Sequence, residues 1–496
     1  MAAPPTTIED FTSAIRSRGL EIPQAIDSSL RRISKQDKRI RAFLHVMPEY
    51  AQARAEELQK RVDVGEWPGP LTGVPVAIKD NILCRDVPAT AGSRILEGFR
   101  PIYTATAVSR LLDAGAIPIG KANMDEFGMG SSNEFSAFYP ARNPYDLNCV
   151  PGGSSGGSAA ALAGGFVLGA LGSDTGGSVR QPAAFCGLVA LKPQYGSVSR
   201  YGLIAFGSSL DQIGPMARTA RDCAVLYNAV CGHDPRDSNS LPNTAPIRVE
   251  QIDAGVRNTR LGIPSVWLRD GLDPDVRSSF KECCERFRSI GAEIVDVELP
   301  NPQLSVSAYY ILANAEASSN LARYDGVRYG LRDSESIDIR ALYRNTRGRG
   351  FGPEVKRRIL LGTHVLSAGY YEAYYQKALM VRRQVRQAFD DVFASVDAIL
   401  MPTTPTPAFR LGEKLDDPLS MYLCDLFTTA ANLTGYPAAS FPIGLSGNGL
   451  PVGAQLCGPA YSEGTLLGLV HRFTQGVPLP LPDIANAPVE EGKSRD

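Results

Sequence analysis

Two blocks rich in glycine and serine hold the residues best suited to chemistry. The first reads Pro151-Gly-Gly-Ser154-Ser-Gly-Gly-Ser158, and the second, after an apolar stretch, reads Gly172-Ser-Asp-Thr-Gly-Gly-Ser178. Glycine costs backbone entropy on folding, so such loops mark places where the chain turns sharply or approaches a ligand, with tight helix–sheet packing as the structural alternative. Backbone N–H groups in these turns can stabilise a developing oxyanion, and Thr175, Gly176 and Gly177 immediately precede a potential nucleophile at Ser178. A serine nucleophile needs a base. The four histidines, His45, His233, His364 and His471, all lie outside the two blocks; sequence distance leaves a spatial neighbour open, but a neutral lysine is the other base available. Lys79 ends the apolar run 74–78 and precedes Asp80-Asn81, as a lysine would if it projected from a buried strand end into a cleft. Bringing its pKa from about 10.4 to about 7 takes roughly 4 to 5 kcal/mol of differential destabilisation of the ammonium, which burial can supply. Read alone, a strand-end lysine is more often a surface residue, and Asp80 could hold it charged.

Four look-alikes carry less. Gly152-Gly-Ser154-Ser-Gly156 fits the G-x-S-x-G nucleophile elbow, but residues 143–151, with Pro144 and Pro151, cannot supply the strand an elbow requires. Gly115 to Lys121 resembles a phosphate-binding loop, yet Ala122 stands where a magnesium-binding Ser or Thr belongs. Ser278-Ser-Phe-Lys281 fits S-x-x-K but sits in a charged amphipathic helix without companion motifs. The basic stretch 31–41 reads as the solvated face of a helix rather than an RNA contact.

The elements that must position these residues follow from periodicity. Helical spacing over 8–20, 23–43 and 48–62 predicts a helical layer over residues 1–65. From Gly69 short apolar runs (74–78, 117–119) alternate with a helix-like stretch over 106–114, the texture of an α/β sheet. The apolar stretch 159–171 reads as a buried helix, too short and too glycine-rich to cross a membrane. Further helices are expected over 273–290 and 368–396, a strand over 398–401, a catalytic region over 66–477 and a poorly ordered tail from Pro478. With 496 residues and 44% hydrophobic content the chain can bury a large core. Its 51 basic and 52 acidic side chains leave no global field to attract nucleic acid or an anionic membrane. Nine cysteines without a CxxC pair suit a reduced, cytoplasmic setting, and the N-terminus has neither the basic nor the apolar region of an export signal. No metal-ligand cluster stands out.

Lys79, the two Gly/Ser blocks and the continuation Ser178-Val-Arg-Gln-Pro-Ala together resemble the amidase signature family, over about residues 71–457. That resemblance implies a single large α/β domain with a mixed twisted sheet covered by helices. It makes Ser178 the nucleophile, Ser154 a proton-relaying serine on a cis peptide bond, and Lys79 the base, with the Thr175, Gly176 and Gly177 turn as oxyanion site. The segments 122–134, 316–330 and 351–359 resemble one branch of the family, the glutamine-hydrolysing A subunits of tRNA-dependent amidotransferases. This branch implies glutamine as substrate, with Tyr309, Arg358 and Asp425 binding it. It also implies B and C subunits as partners in a heterotrimer, misacylated Glu-tRNA(Gln) or Asp-tRNA(Asn) reached through the complex, and ATP and Mg2+ used by the complete complex rather than by this chain's triad. Ala122, Phe135 and Cys149 depart from the family's usual residues, which touches local packing only. A free-standing amidase of small carboxamides or aryl amides is the alternative activity, and an inactive scaffold in a tRNA-processing assembly the non-enzymatic one.

Overall fold

The computed structural model describes residues 5–254, 256, 258–269, 271–475 and 480–486. The chain opens on helices Ile8–Arg16 (α1), Ile22–Ile40 (α2) and Pro48–Asp63 (α3). In α2, Ile22, Ile26, Ser29, Ile33 and Ile40 form the buried stripe, while Arg31, Lys35, Lys38 and Arg39 are exposed, so the basic stretch is a solvated face. The helix expected to reach residue 43 stops earlier. Arg41 turns left-handed at φ 61°, the Asp37 carboxylate accepts the Ala42 and Phe43 N–H groups, and Phe43–Val46 becomes a strand, β1, on the sheet edge. The N-terminal layer is therefore not purely helical.

One eleven-stranded mixed sheet organises the molecule. Its further strands are Pro75–Lys79 (β2), Ile117–Ala122 (β3), Gly169–Asp174 (β4), Val189–Lys192 (β5), Gln212–Ala217 (β6), Arg260–Ile263 (β7), Glu293–Asp296 (β8), Ala398–Pro402 (β9), Ala438–Leu445 (β10) and Pro451–Cys457 (β11), in the order β1-β3-β2-β4-β6-β5-β10-β11-β9-β7-β8. Helices Thr106–Asp113 (α4), Gly156–Ala163 (α5), Arg180–Phe185 (α6), Ala220–Val230 (α7) and Pro274–Ser289 (α8) connect its strands. Pro302–Asn320 (α9), Ile339–Gly350 (α10), Pro353–Val365 (α11) and Lys377–Phe393 (α12), the last preceded by a π-helical turn at Tyr371–Gln376, build a layer at one end; Pro418–Tyr422 (α13), Thr429–Thr434 (α14), Glu463–Thr474 (α15) and Asp483–Asn486 (α16) follow.

Apolar runs 74–78, 117–119 and 398–401 become β2, β3 and β9, all fully buried. The stretch 159–171 is not one helix. α5 ends at Gly164 and Gly165, and the chain re-enters the sheet as β4, because two successive glycines stop a helix at little cost. The resemblance to a phosphate-binding loop dissolves, since residues 117–122 form β3 and no helix opens at Lys121, the next element being a short 3-10 turn at Glu126–Gly128. Of the tail expected to be poorly ordered, 478–479 and 487–496 lie outside the described residues; Pro480 and Ala485 are held by Tyr145 and Arg32. All nine cysteines are unpaired and eight are buried, as small apolar groups. No helix among the described residues is long and apolar enough to cross a membrane.

Candidate active site

The neighbouring strands β2 and β4 run parallel, with Ile78 opposite Leu171, so their carboxyl ends lie side by side. Side chains alternate along a strand, and Lys79 shares a face with Pro75 and Ala77 at the strand's last position. Its ammonium-bearing atom Nζ lies 2.7 Å from Ser154 Oγ, 2.9 Å from Ser173 Oγ and 3.2 Å from the Ser173 carbonyl oxygen. Lys79 is fully buried. Burial lowers its pKa to about 7, against the opposing fields of Asp125, Asp174 and Asp211. Asp80, the neighbour that could have kept Lys79 charged, is instead engaged by Lys121 (3.3 Å) and by the Thr90 N–H (2.8 Å).

The first Gly/Ser block carries Ser154 on a cis Gly153–Ser154 peptide. Gly153 is required there because a Cβ would lie 2.0 Å from Asp125 Oδ2. The Asp125 carboxylate accepts the Asn133 and Phe135 N–H groups (2.9 and 3.0 Å), and its own N–H reaches the Ser154 carbonyl (3.3 Å). Gln181 fixes the same block, accepting from the Gly153 N–H and donating to the Ser131 carbonyl. The two blocks are joined directly, since the Ser155 N–H donates to the Ser178 carbonyl (3.2 Å). Relative exposure rises from 0% at Lys79 through 1% at Ser154 to 8% at Ser178, the most exposed of the three.

Ser178 sits between β4 and α6, on a turn organised by Asp174. Its carboxylate accepts the Gly177, Val179 and Arg180 N–H groups, the Arg180 guanidinium through Nε and Nη2 (both 3.1 Å), and Asn432 Nδ2 (2.8 Å). Burial alone would raise the pKa of Asp174; Arg180 and Asn432 outweigh it and hold the group at about 2. Along the turn expected to hold an oxyanion, the backbone N–H groups differ in their partners. The Gly177 N–H is spent on Asp174 (2.9 Å), whereas the Gly176 and Ser178 N–H groups donate to nothing else among the described residues. The Thr175 hydroxyl donates to Asp211 (2.7 Å). Gly177, at φ 139°, accommodates Thr428, whose hydroxyl donates to the Gly176 carbonyl (2.6 Å).

Tyr309, Arg358 and Asp425 come from α9, α11 and the turn after α13, widely separated in the chain, and are all buried. Tyr309 packs over Gly176, where a Cβ would meet its ring at 2.4 Å. Tyr310 links the other two, with the Arg358 guanidinium 5.1 Å from its ring and its hydroxyl 3.1 Å from Asp425 Oδ2. Ser131 also donates to that oxygen (2.9 Å). Burial raises the pKa of Asp425 to about 7, less the contributions of Ser131, Tyr310 and Arg358. Arg358 is held firmly protonated despite burial because Glu354 Oε1 accepts its Nε–H (2.7 Å); its two Nη groups donate to no other described residue. Phe206 and Tyr422 complete the aromatic walls around the guanidinium.

None of the four histidines bonds to Lys79, Ser154 or Ser178 among the described residues, and Ser278 and Lys281 are both exposed on α8. The sequence alone assigns no role to Ser173, Asn81, Asp125, Asp174, Arg180, Gln181, Tyr310 or Glu354. Only the six-residue spacing of Asp174 and Arg180 around Ser178 carries a usable signal, an acid and a base flanking a glycine turn.

The Amidase family model matches residues 24–467. The glutamyl-tRNA(Gln) amidotransferase A subunit of Carboxydothermus hydrogenoformans is 51% identical over 467 residues, covering 94% of this chain and 96% of the relative. The protein of the same name from Acidobacterium capsulatum is 52% identical over 454 residues, covering 92% and 95%. The crystal structure of its Thermotoga maritima counterpart matches with a TM-score of 0.80 at 41% identity, over 97% of this chain and 99% of the other. With its Gly/Ser loops mounted on the matching sheet along nearly its whole length, the chain belongs to the amidase signature family and is an enzyme of the amidase and amidotransferase type.

Proposed function

We propose that this chain hydrolyses glutamine as the A subunit of a cytoplasmic tRNA-dependent amidotransferase, with Ser178 as nucleophile, Ser154 as relay and Lys79 as base. The observation that carries the chemistry is the dry contact between Lys79 Nζ and Ser154 Oγ, with no carboxylate within ion-pair distance of the lysine among the described residues. Neutral Lys79 takes a proton from Ser154 as Ser154 takes one from Ser178. Ser178 Oγ then attacks the side-chain carbonyl of glutamine, and the Gly176 and Ser178 N–H groups, with that of Thr175, face the oxyanion. The Lys79 ammonium returns its proton through Ser154 to the departing nitrogen, so the C–N bond breaks and ammonia leaves. Water cleaves the resulting glutamyl ester by the same relay, releasing glutamate and Ser178.

Glutamine as the substrate rests on the far end of the pocket. Arg358 Nη groups suit an α-carboxylate and Asp425 an α-ammonium, two charges that a simple carboxamide lacks. Tyr309 spans from this end to the oxyanion turn. The ammonia would pass to a partner B subunit, with C completing a heterotrimer, and convert Glu-tRNA(Gln), or Asp-tRNA(Asn), to the amidated form; ATP and Mg2+ serve that partner's step. The test is a glutaminase assay on the purified chain with and without B and C subunits, followed by amidation of both misacylated tRNAs with glutamine and ATP. Glutamine turnover coupled to tRNA amidation is expected. Turnover of aryl amides alone, unaffected by Asp425→Ala, would assign a free-standing amidase instead.

A further inference from the structure

Lys79 meets three acceptor atoms, and two of them belong to one residue that the relay does not use. Ser173, the residue of β4 before Asp174, offers Nζ both its hydroxyl (2.9 Å) and its carbonyl oxygen (3.2 Å). Asn81, two residues beyond Lys79, donates through Nδ2 to the same hydroxyl (2.9 Å). Ser173 and Asn81 are 4% and 3% exposed, so water does not compete. Asn81 Oδ1 is buried and meets no donor among the described residues, so the side chain's one hydrogen bond is the one to Ser173.

The arrangement decides which way the lysine's lone pair points. A neutral amine has two N–H donors and one lone pair. The Ser173 carbonyl can only accept, so it takes one N–H; the hydroxyl oxygen accepts from Asn81 and, with its own O–H turned away from Nζ, takes the other. What remains is the lone pair, directed at Ser154 Oγ 2.7 Å away. A lysine free to rotate could present an N–H to Ser154 instead, and Ser154 would then be unable to hand over its proton. We infer that Ser173 and Asn81 are positioning residues for the hydrolytic reaction, anchoring both hydrogens of Lys79 so that its lone pair faces Ser154. This rests on Lys79 being the base.

The same contacts fix how the lysine titrates. The charged groups facing it are Asp125 from the segment after β3, Asp174 at the end of β4 and Asp211 before β6, and none of these changes on substituting Ser173 or Asn81. In the ammonium form all three acceptors are used, so losing the Ser173 hydroxyl removes a charge-assisted hydrogen bond and favours the neutral amine. A carboxylate in place of the Asn81 amide does the reverse.

The experiment measures the rate of Ser178 modification by a fluorophosphonate, and of glutamine hydrolysis by the complete complex, from pH 5 to 9 in Ser173→Ala, Ser173→Thr, Asn81→Asp and Lys79→Ala. Ser173→Ala is expected to lower kcat about 10- to 100-fold, the scale of a misdirected catalytic group, with KM within a few-fold of the parent. Its acid limb should move to lower pH, that of Asn81→Asp to higher pH, and Ser173→Thr, which keeps the oxygen, should restore both rate and limb. Parental rates in Ser173→Ala, or reduced rates whose acid limbs do not move in opposite directions, would overturn the positioning role. Activity retained in Lys79→Ala would overturn the lysine's role as base itself, and so separates the two failures. Thermal melting of each variant identifies any loss that reflects unfolding. If Ser173→Ala does not fold, the limb of Asn81→Asp decides: a shift to higher pH beside an unshifted Ser173→Thr upholds the role, and no shift overturns it.

Discussion

Two lysines stand at the carboxyl ends of adjacent parallel strands, equally removed from water, and they do opposite things. Lys121 on β3 faces Asp80 at 3.3 Å and donates to the Asp80 carbonyl, an ion pair closed on itself. Lys79 on β2 faces two serines and reaches no carboxylate among the described residues. Each is 0% exposed, so burial does not distinguish them. What differs is the partner. The carboxylate makes Lys121 one half of a buried structural ion pair, whereas Lys79 has hydroxyl partners and burial favours its free amine, which can take a proton. The alternating direction of side chains on the strand after Lys79 sends Asp80 to the Lys121 side and spares Lys79 its nearest carboxylate.

The contrast breaks most visibly if the two lysines are removed in turn. Lys79→Ala should lower glutamine turnover by at least about 1,000-fold while leaving the melting temperature close to the parent's, as expected for loss of a general base acting with its nucleophile. Lys121→Ala should strand Asp80 in the interior and destabilise by roughly 3–5 kcal/mol in chemical denaturation, with turnover per folded molecule within a few-fold of the parent. Equal losses of turnover in the two variants would erase the distinction. Asp174→Ala belongs with the second class in stability, again roughly 3–5 kcal/mol because it strands the fully buried Arg180, and with the first in activity because the Ser178 turn loses its centre.

The substrate end sharpens the contrast, since its arginine is paired and its aspartate is not. Arg358→Lys should raise KM for glutamine roughly 10- to 100-fold, the 1.5–3 kcal/mol of a charged hydrogen bond, with a smaller effect on kcat. Acid pH acts on both ends at once. Lys79, lowered to about 7, is neutral and competent above that pH, so kcat should fall as pH drops through about 7. Asp425, raised to about 7, is ionised above it, so KM should climb over the same interval. Asp425→Asn should leave KM high and nearly flat with pH while the acid limb of kcat persists. The smallest effect is expected at the S-x-x-K look-alike, where Ser278→Ala and Lys281→Ala should change stability by less than about 0.5 kcal/mol and turnover not at all.

The sequence made the site legible where a side chain's role follows from its own neighbourhood. A lysine closing an apolar run, and glycines packed around two serines, are local signals, and they located Lys79, Ser154 and Ser178. By spacing alone the motif around Ser154 favours Ser154 as nucleophile, whereas the family resemblance assigns that part to Ser178, the more exposed of the two serines. The elements over 74–78 and 106–114 were legible for the same reason, one strongly apolar and the other periodic. The run 159–171 was not, because a short buried helix and a buried strand are equally apolar and only the glycine pair between them marks the change. Ser173 and Asn81 were invisible because their roles arise from pairing β2 with β4, which brings residues more than ninety positions apart to 2.9 Å. Glu354 and Tyr310 escaped for a similar reason, being anonymous helix residues until α9 and α11 are packed together.

Mass spectrometry of the protein after fluorophosphonate treatment reports whether a neutral Lys79 activates Ser178 through Ser154. A single adduct on the peptide carrying Ser178 is predicted for the parent above pH 7, with labelling lost in Lys79→Ala and strongly slowed in Ser154→Ala, both folded. An adduct on Ser154, or undiminished labelling of Ser178 without Lys79, would contradict that activation.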